Sequence, residues 1–207
     1  ISPHEKEITA YHEGGHALVA ASLKDSDPVH KVSIISRGMA GGYTLKLPDQ
    51  DRRMQSRKEF LDDIASALGG YVAEEMIFDD LTTGPSNDLQ VLTGLARDMV
   101  TKYGMSETFG PVAIEGMGGR LIGGGFSEDR GYGDEVAKKI DAEVQKIIAD
   151  ARERAKELTK VSSALDRLKN RVGQATDGDP KGATSSNDAK KQELGSEFVS
   201  EIHNCLK

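Results

Sequence analysis

Cysteine occurs once, at Cys205, and tryptophan not at all. A single thiol excludes an internal disulfide framework and a cysteine zinc cluster. No apolar run approaches the roughly 20 residues that span a bilayer, and no signal peptide is visible. The formal net charge is −7, with acids and bases mixed along the chain. No basic stripe is interleaved with aromatics, so no nucleic-acid partner is expected. The glycine-rich run GGRLIGGG contains no GxxxxGK[ST] and is no phosphate loop. At 207 residues the chain buries enough surface to fold without a staple. It begins at Ile1 rather than methionine, which reads as a piece of something longer.

What is present is mostly helical periodicity. Ser2, Pro3 and Glu5 form an S-x-x-E start for a helix running to about Ser22 or Leu23. KVSII and YTLKL flank a glycine-rich turn within residues 31–47 and predict a β-hairpin. Ser56 to Phe78 carries Phe60, Leu61, Ile64, Leu68, Tyr71, Val72 and Met76 at helical spacing, interrupted by Gly69-Gly70. A helix from about Asn87 to Lys102 follows, and a strongly amphipathic one runs from Asp134 to about Lys160. Residues 110–133 and 173–190 read as flexible loops, and Glu197 to Leu206 as a short amphipathic piece. The division expected is a main domain over 1–168, a flexible or diverged insertion over 169–192 and a helical segment over 193–207.

The chemistry is concentrated in His12-Glu13-Gly14-Gly15-His16, an HExxH motif. Residues i and i+4 share a helix face, so both imidazoles can reach one metal ion. Glu13 stands about 100° further round the helix and can address a water activated by that ion. The pattern points to hydrolysis with Glu13 as general base. A structural zinc site has no use for such a base, and neither has an inactive scaffold.

A catalytic zinc ion usually takes three protein ligands. The other histidines are His4, His30 and His203, and no HExxHxxGxxH pattern occurs. His4 lies two turns before His12, too far along the helix to share its metal. The third ligand is therefore expected to be a carboxylate. Asp88 is in phase with Leu92, Leu95 and Met99, and an acid on a buried stripe needs a partner. Glu75 is in phase with Leu68 and Tyr71, and Glu74 adjoins it. Spacing alone leaves Asp88 and these glutamates level.

HEGGHALV, HKVSIISRGMAGGYTLKLPDQDR, ALGGYVAEEMIF, LTTGPSNDLQ and ARDMVTKYGMSETFGPV together resemble the peptidase domain of FtsH-type proteases. Those are membrane-anchored, ATP-dependent zinc metalloproteases. The resemblance covers about residues 3–113 and continues more weakly to about Leu158. It implies a mainly α fold with a small β-hairpin edge strand, packed as a homo-hexameric ring beneath an AAA ATPase ring. That ATP-using module is absent from this chain. By the same likeness His12, His16 and Asp88 bind Zn2+, Glu13 is the catalytic base, and Glu74 and Glu75 are supporting acids. Gly42, Tyr43 and Thr44 match the strand against which an unfolded polypeptide lies, a case of strand addition. The implied parent is membrane-anchored with this domain facing the cytoplasm, or an organelle matrix or stroma. The piece itself is expected to be soluble and to make no membrane contact. The chain departs from the family at Gly14, usually alanine there, and over residues 170–190.

Two consecutive glycines inside a helix cost about 1 kcal/mol each relative to alanine. A helical projection places Gly14 opposite the metal face, in a stripe with Ala10, Ala17 and Ala21. Ser66, Gly70 and Ala73 form a second stripe of small residues, and the two are expected to pack together. Gly15 is expected to flank the metal face, where a side chain would crowd the site.

Overall fold

The computed structural model describes residues 2–35, 41–48, 53–115 and 132–160. The loop expected over 173–190, the segment Glu197 to Leu206, the 169–192 and 193–207 divisions and most of 110–133 lie outside them. Five helices and a hairpin are described: α1 Pro3–Ser22, β1 Val29–Ser33, β2 Tyr43–Lys46, α2 Arg57–Ala67, α3 Gly69–Phe78, α4 Ser86–Thr101 and α5 Asp134–Thr159. The fold is mainly helical with one small antiparallel sheet.

Two helices start on reciprocal caps. Ser2 Oγ accepts from the Glu5 amide at 3.2 Å while Glu5 Oε2 accepts from the Ser2 amide at 2.8 Å. Ser56 and Glu59 repeat the arrangement at the head of α2. Each pair satisfies two backbone donors that a helix start leaves open.

The helical stretch expected from Ser56 to Phe78, interrupted at Gly69-Gly70, is two helices joined at Leu68, whose φ is −79° and ψ −9°. The hydrogen-bond ladder survives the joint: the Leu68 amide donates to the Ile64 carbonyl at 3.1 Å, and the Val72 amide to the Leu68 carbonyl at 2.9 Å. The chain bends here because Gly69, with no side chain, lies directly on the backbone of α1 at Gly15 and His16. α3 ends where Asp79 takes a left-handed φ of 52°.

The main core joins Val19 of α1 and its cap Leu23, Phe60, Ile64 and Leu68 of α2 and its cap, Val72 of α3, Leu92 and Met99 of α4, and Ile140, Val144, Ala151 and Ala155 of α5. The apolar stripe read for the last helix faces this core, with Val136, Ile147 and Leu158 at its margin. Burying each large aliphatic side chain contributes about 1.5–3 kcal/mol.

The hairpin pairs Val29 with Lys46, Lys31 with Leu45, Val32 with Thr44 and Ser33 with Tyr43, and an irregularity between Val29 and Lys31 shifts the register. Its first strand begins two residues earlier than KVSII suggests. A lone two-stranded ribbon is marginal in water. This one is seated on α1, where Ala17 and Leu18 pack against Val29 and Val32. Among the described residues no helix is long and apolar enough to cross a membrane.

Candidate active site

The middle of α1 presents His12 and His16 on one face, with Nε2 atoms 3.0 Å apart and ring planes nearly perpendicular. Asp88 enters from the first turn of α4. Its Oδ2 lies 3.3 Å from His12 Nε2 and 3.4 Å from His16 Nε2. One atom from each residue thus converges on a single point. Both imidazoles are 12 % exposed and the Asp88 side chain 31 %, so the group is half-sunk rather than sealed.

The outer nitrogens set the chemistry of the inner ones. His16 Nδ1 is 2.8 Å from the Ser66 carbonyl oxygen, which can only accept. The proton of a neutral His16 is therefore on Nδ1, and Nε2 offers a lone pair. His12 Nδ1 is likewise 2.8 Å from Glu74 Oε1. Two lone pairs and a carboxylate oxygen within hydrogen-bond range repel one another unless a positive charge joins them. With a proton in that role, burial pulls His12 down, but hydrogen bonds to Asp88 and Glu74 outweigh it and raise the pKa to about 9. Burial pushes Asp88 up, yet its bonds with both histidines hold the carboxyl well below the usual carboxylate range. The set His12, His16 and Asp88 is also the one group of metal-ligating side chains that converges among the described residues. Two imidazoles and one carboxylate suit a borderline-soft divalent cation such as zinc.

Glu13 is buried, 6 % exposed, beside this group. Its Oε2 accepts from the Thr44 hydroxyl at 2.6 Å. Gly42 presses on the same side chain: a Cβ there would lie 2.9 Å from Glu13 Cγ and 2.6 Å from the Ser33 carbonyl oxygen. Thr44 of β2 and Gly42 just before it are therefore in contact with Glu13 itself.

Glu74 and Glu75 part ways. Glu74 is fully buried and takes, besides His12, the Thr82 amide at 3.0 Å and the Thr82 hydroxyl at 2.8 Å. Burial raises its pKa, and the bonds from His12 and Thr82 outweigh burial and lower it. Glu75 turns to α5, where it pairs with Arg152 and Lys156. Its phase with Leu68 and Tyr71 does point inward, but toward α5 and away from the histidines.

The glycine doublet works differently from the projection. α1 meets α3 through Gly15, where an added Cβ would stand 2.6 Å from Ala73 Cβ and closer still to the Gly69 carbonyl oxygen. Gly70 supports the His12 ring, since a Cβ on it would reach the ring atoms at 2.5–2.7 Å. Ala17, placed in the Gly14 stripe, packs on the hairpin instead. The face touching α3 is thus the flank of the metal face, and Gly15 is empty for the helix contact rather than for the metal.

Sequence reasoning missed two positioning groups. The Ser66 carbonyl carries no residue signature, because any residue supplies one. Thr82 was visible only as part of a turn, TTGP.

A half-buried histidine pair and aspartate, a carboxylate alongside and a mainly helical frame define a metallopeptidase-like site. The chain belongs to Peptidase family M41, whose model matches residues 1–174. It is 50 % identical over 173 residues to the ATP-dependent zinc metalloprotease FtsH 1 of Sphaerobacter thermophilus, covering 81 % of this chain and 26 % of that protein. It is 48 % identical over 160 residues to the ATP-dependent zinc metalloprotease FtsH of Bacillus subtilis, covering 76 % of this chain and 25 % of the relative. The FtsH of Pseudothermotoga lettingae is 48 % identical over 171 residues, 81 % of this chain and 27 % of that protein. The matched region is about a quarter of the length of each relative.

Proposed function

We propose that this chain is the zinc-dependent endopeptidase module of an ATP-dependent, membrane-anchored protease and hydrolyses peptide bonds of unfolded polypeptides. The observation that carries the reading is the convergence of His12 Nε2, His16 Nε2 and Asp88 Oδ2 with Glu13 alongside. In this reading those three atoms hold the zinc ion. When bound, the ion supplies a Lewis acid that brings a water's pKa to about 7 and polarises the scissile carbonyl. Glu13 takes the proton of the attacking water on its carboxylate and passes it to the leaving nitrogen. Ser66 and Glu74 keep the two imidazoles in the tautomer that leaves Nε2 free.

The substrate lies along Gly42 and the start of β2 at Tyr43 and Thr44. β2 pairs with β1 on one side, and backbone bonds on the other edge bind a chain with little demand on its sequence. Unfolding and delivery fall to an AAA ATPase module of the parent, assembled as a homo-hexamer, with this domain facing the cytoplasm or an organelle matrix or stroma. The relatives' ATP dependence and zinc are in keeping with this.

The test is metal content measured together with cleavage of an unfolded casein-type substrate, with and without chelator. Glu13→Gln should retain zinc and lose proteolysis; continued cleavage would remove Glu13 as the base. Asp88→Ala should lose zinc while Glu75→Ala keeps it, and the reverse result would make the glutamate the ligand.

A further inference from the structure

Thr44 contributes to this site through its side chain as well as through the strand backbone. We propose that Thr44 is the positioning residue for Glu13: its hydroxyl holds the carboxylate in the orientation from which it acts as base. The inference rests on the peptidase reading above.

Three observations carry it. The Thr44 hydroxyl lies 2.6 Å from Glu13 Oε2 and 3.1 Å from the Glu13 carbonyl oxygen, and its one proton goes to the nearer, charged acceptor, at the short distance of a charge-assisted bond. Glu13 is 6 % exposed, so it has little water to satisfy it, and a buried carboxylate without a donor is costly. The strand that brings Thr44 is itself fixed. The side chain two residues on, Lys46 of the same face, reaches Asp63 and Ser66 on α2, each at 3.3 Å. Ser66 is also the residue whose carbonyl orients His16. One strand face therefore touches the base and the residue that aligns a metal ligand. Gly42 closes the remaining side, leaving the Glu13 stem between strand and helix.

The hydroxyl is the working part, so shape and hydrogen bonding can be separated. Thr44→Val keeps the branched outline and removes the donor, and Thr44→Ser keeps the donor. In the full chain, Thr44→Val should retain its zinc and its KM for an unfolded substrate, because the strand's backbone is unaltered. Its kcat should fall about ten- to a hundredfold, the scale of loss for a displaced catalytic group. Thr44→Ser should restore most of the rate. Crystal structures should show the Glu13 carboxylate displaced in Thr44→Val and returned in Thr44→Ser. Thr44→Ala removes the same bond and is read the same way should the valine variant misfold. An unmoved Glu13, an undiminished kcat in Thr44→Val, or a serine variant as slow as the valine one would overturn the assignment. A wild-type chain that binds zinc and cuts nothing counts against the peptidase reading alone, since the position of Glu13 is read without substrate.

Discussion

Glu74 is 1 % exposed and is met by His12 Nδ1, the Thr82 amide and the Thr82 hydroxyl, all within 3.0 Å. A carboxylate so placed stays ionised and fixed, and it fixes the ring that leans on it. Thr82 thus reaches His12 through Glu74. Partners one step behind a metal ligand commonly carry ten- to a hundredfold in metal affinity. Thr82→Val removes the hydroxyl and keeps the amide, so it should weaken zinc binding by about three- to tenfold. Competition against a chromophoric chelator measures this, and an unchanged affinity would show that the amide alone suffices. At this scale the sequence was legible where residue type and spacing carry the chemistry. His12 and His16 share a face because they are four apart, whereas spacing left Asp88 level with the glutamates and only the family resemblance favoured it. It was not legible where neighbours compete. Glu74 and Glu75 differ by about 100° of helix rotation, and which one meets the histidines depends on how α3 docks.

Helices α1 and α3 touch backbone to backbone at Gly15 and Gly69, where either added Cβ would lie within 2.6 Å of an atom on the facing helix. Neither backbone can recede, because both helices are anchored in the core by Val19 and Val72. Gly15→Ala should therefore destabilise by about 1–3 kcal/mol, the usual cost of overpacking. Gly94 offers the control. It is exposed in mid-α4 with nothing within 4 Å of its Cβ position. Gly94→Ala should stabilise by about 0.5–1 kcal/mol through backbone entropy. Melting temperatures of the two variants should move in opposite directions; a shared direction would refute the contact account of Gly15. Elements were legible from caps and periodicity, as the Ser2–Glu5 box shows. The joint at Leu68 was marked by the Gly69-Gly70 interruption, but the reason for it was not legible, because it lies in the facing helix at Gly15.

Across the whole molecule, α5 is tied to the segment after α4 by Glu143, which accepts from Ser106 at 3.0 Å and from Thr108 at 2.6 Å. The Thr108 bond chiefly lowers its pKa; burial opposes this, and the Ser106 bond adds to the lowering. The folded value is below the ordinary 4.5, so the unfolded chain binds the proton first. This contribution to stability is complete above pH 4.5 and is lost as pH falls through the folded value. Denaturant midpoints followed through the acid range should fall less steeply in Glu143→Gln than in wild type, and parallel curves would remove Glu143 from the acid limb.

The Gly15–Gly69 contact also bears on how this protein can be redesigned. The span between the helix bearing both histidines and the helix bearing Glu74 has its closest stop where main-chain atoms meet at Gly15 and Gly69. Main-chain dimensions are the same whatever residues surround them. Side chains elsewhere in the core can be exchanged for others of similar volume, and the gauge between these helices keeps its setting.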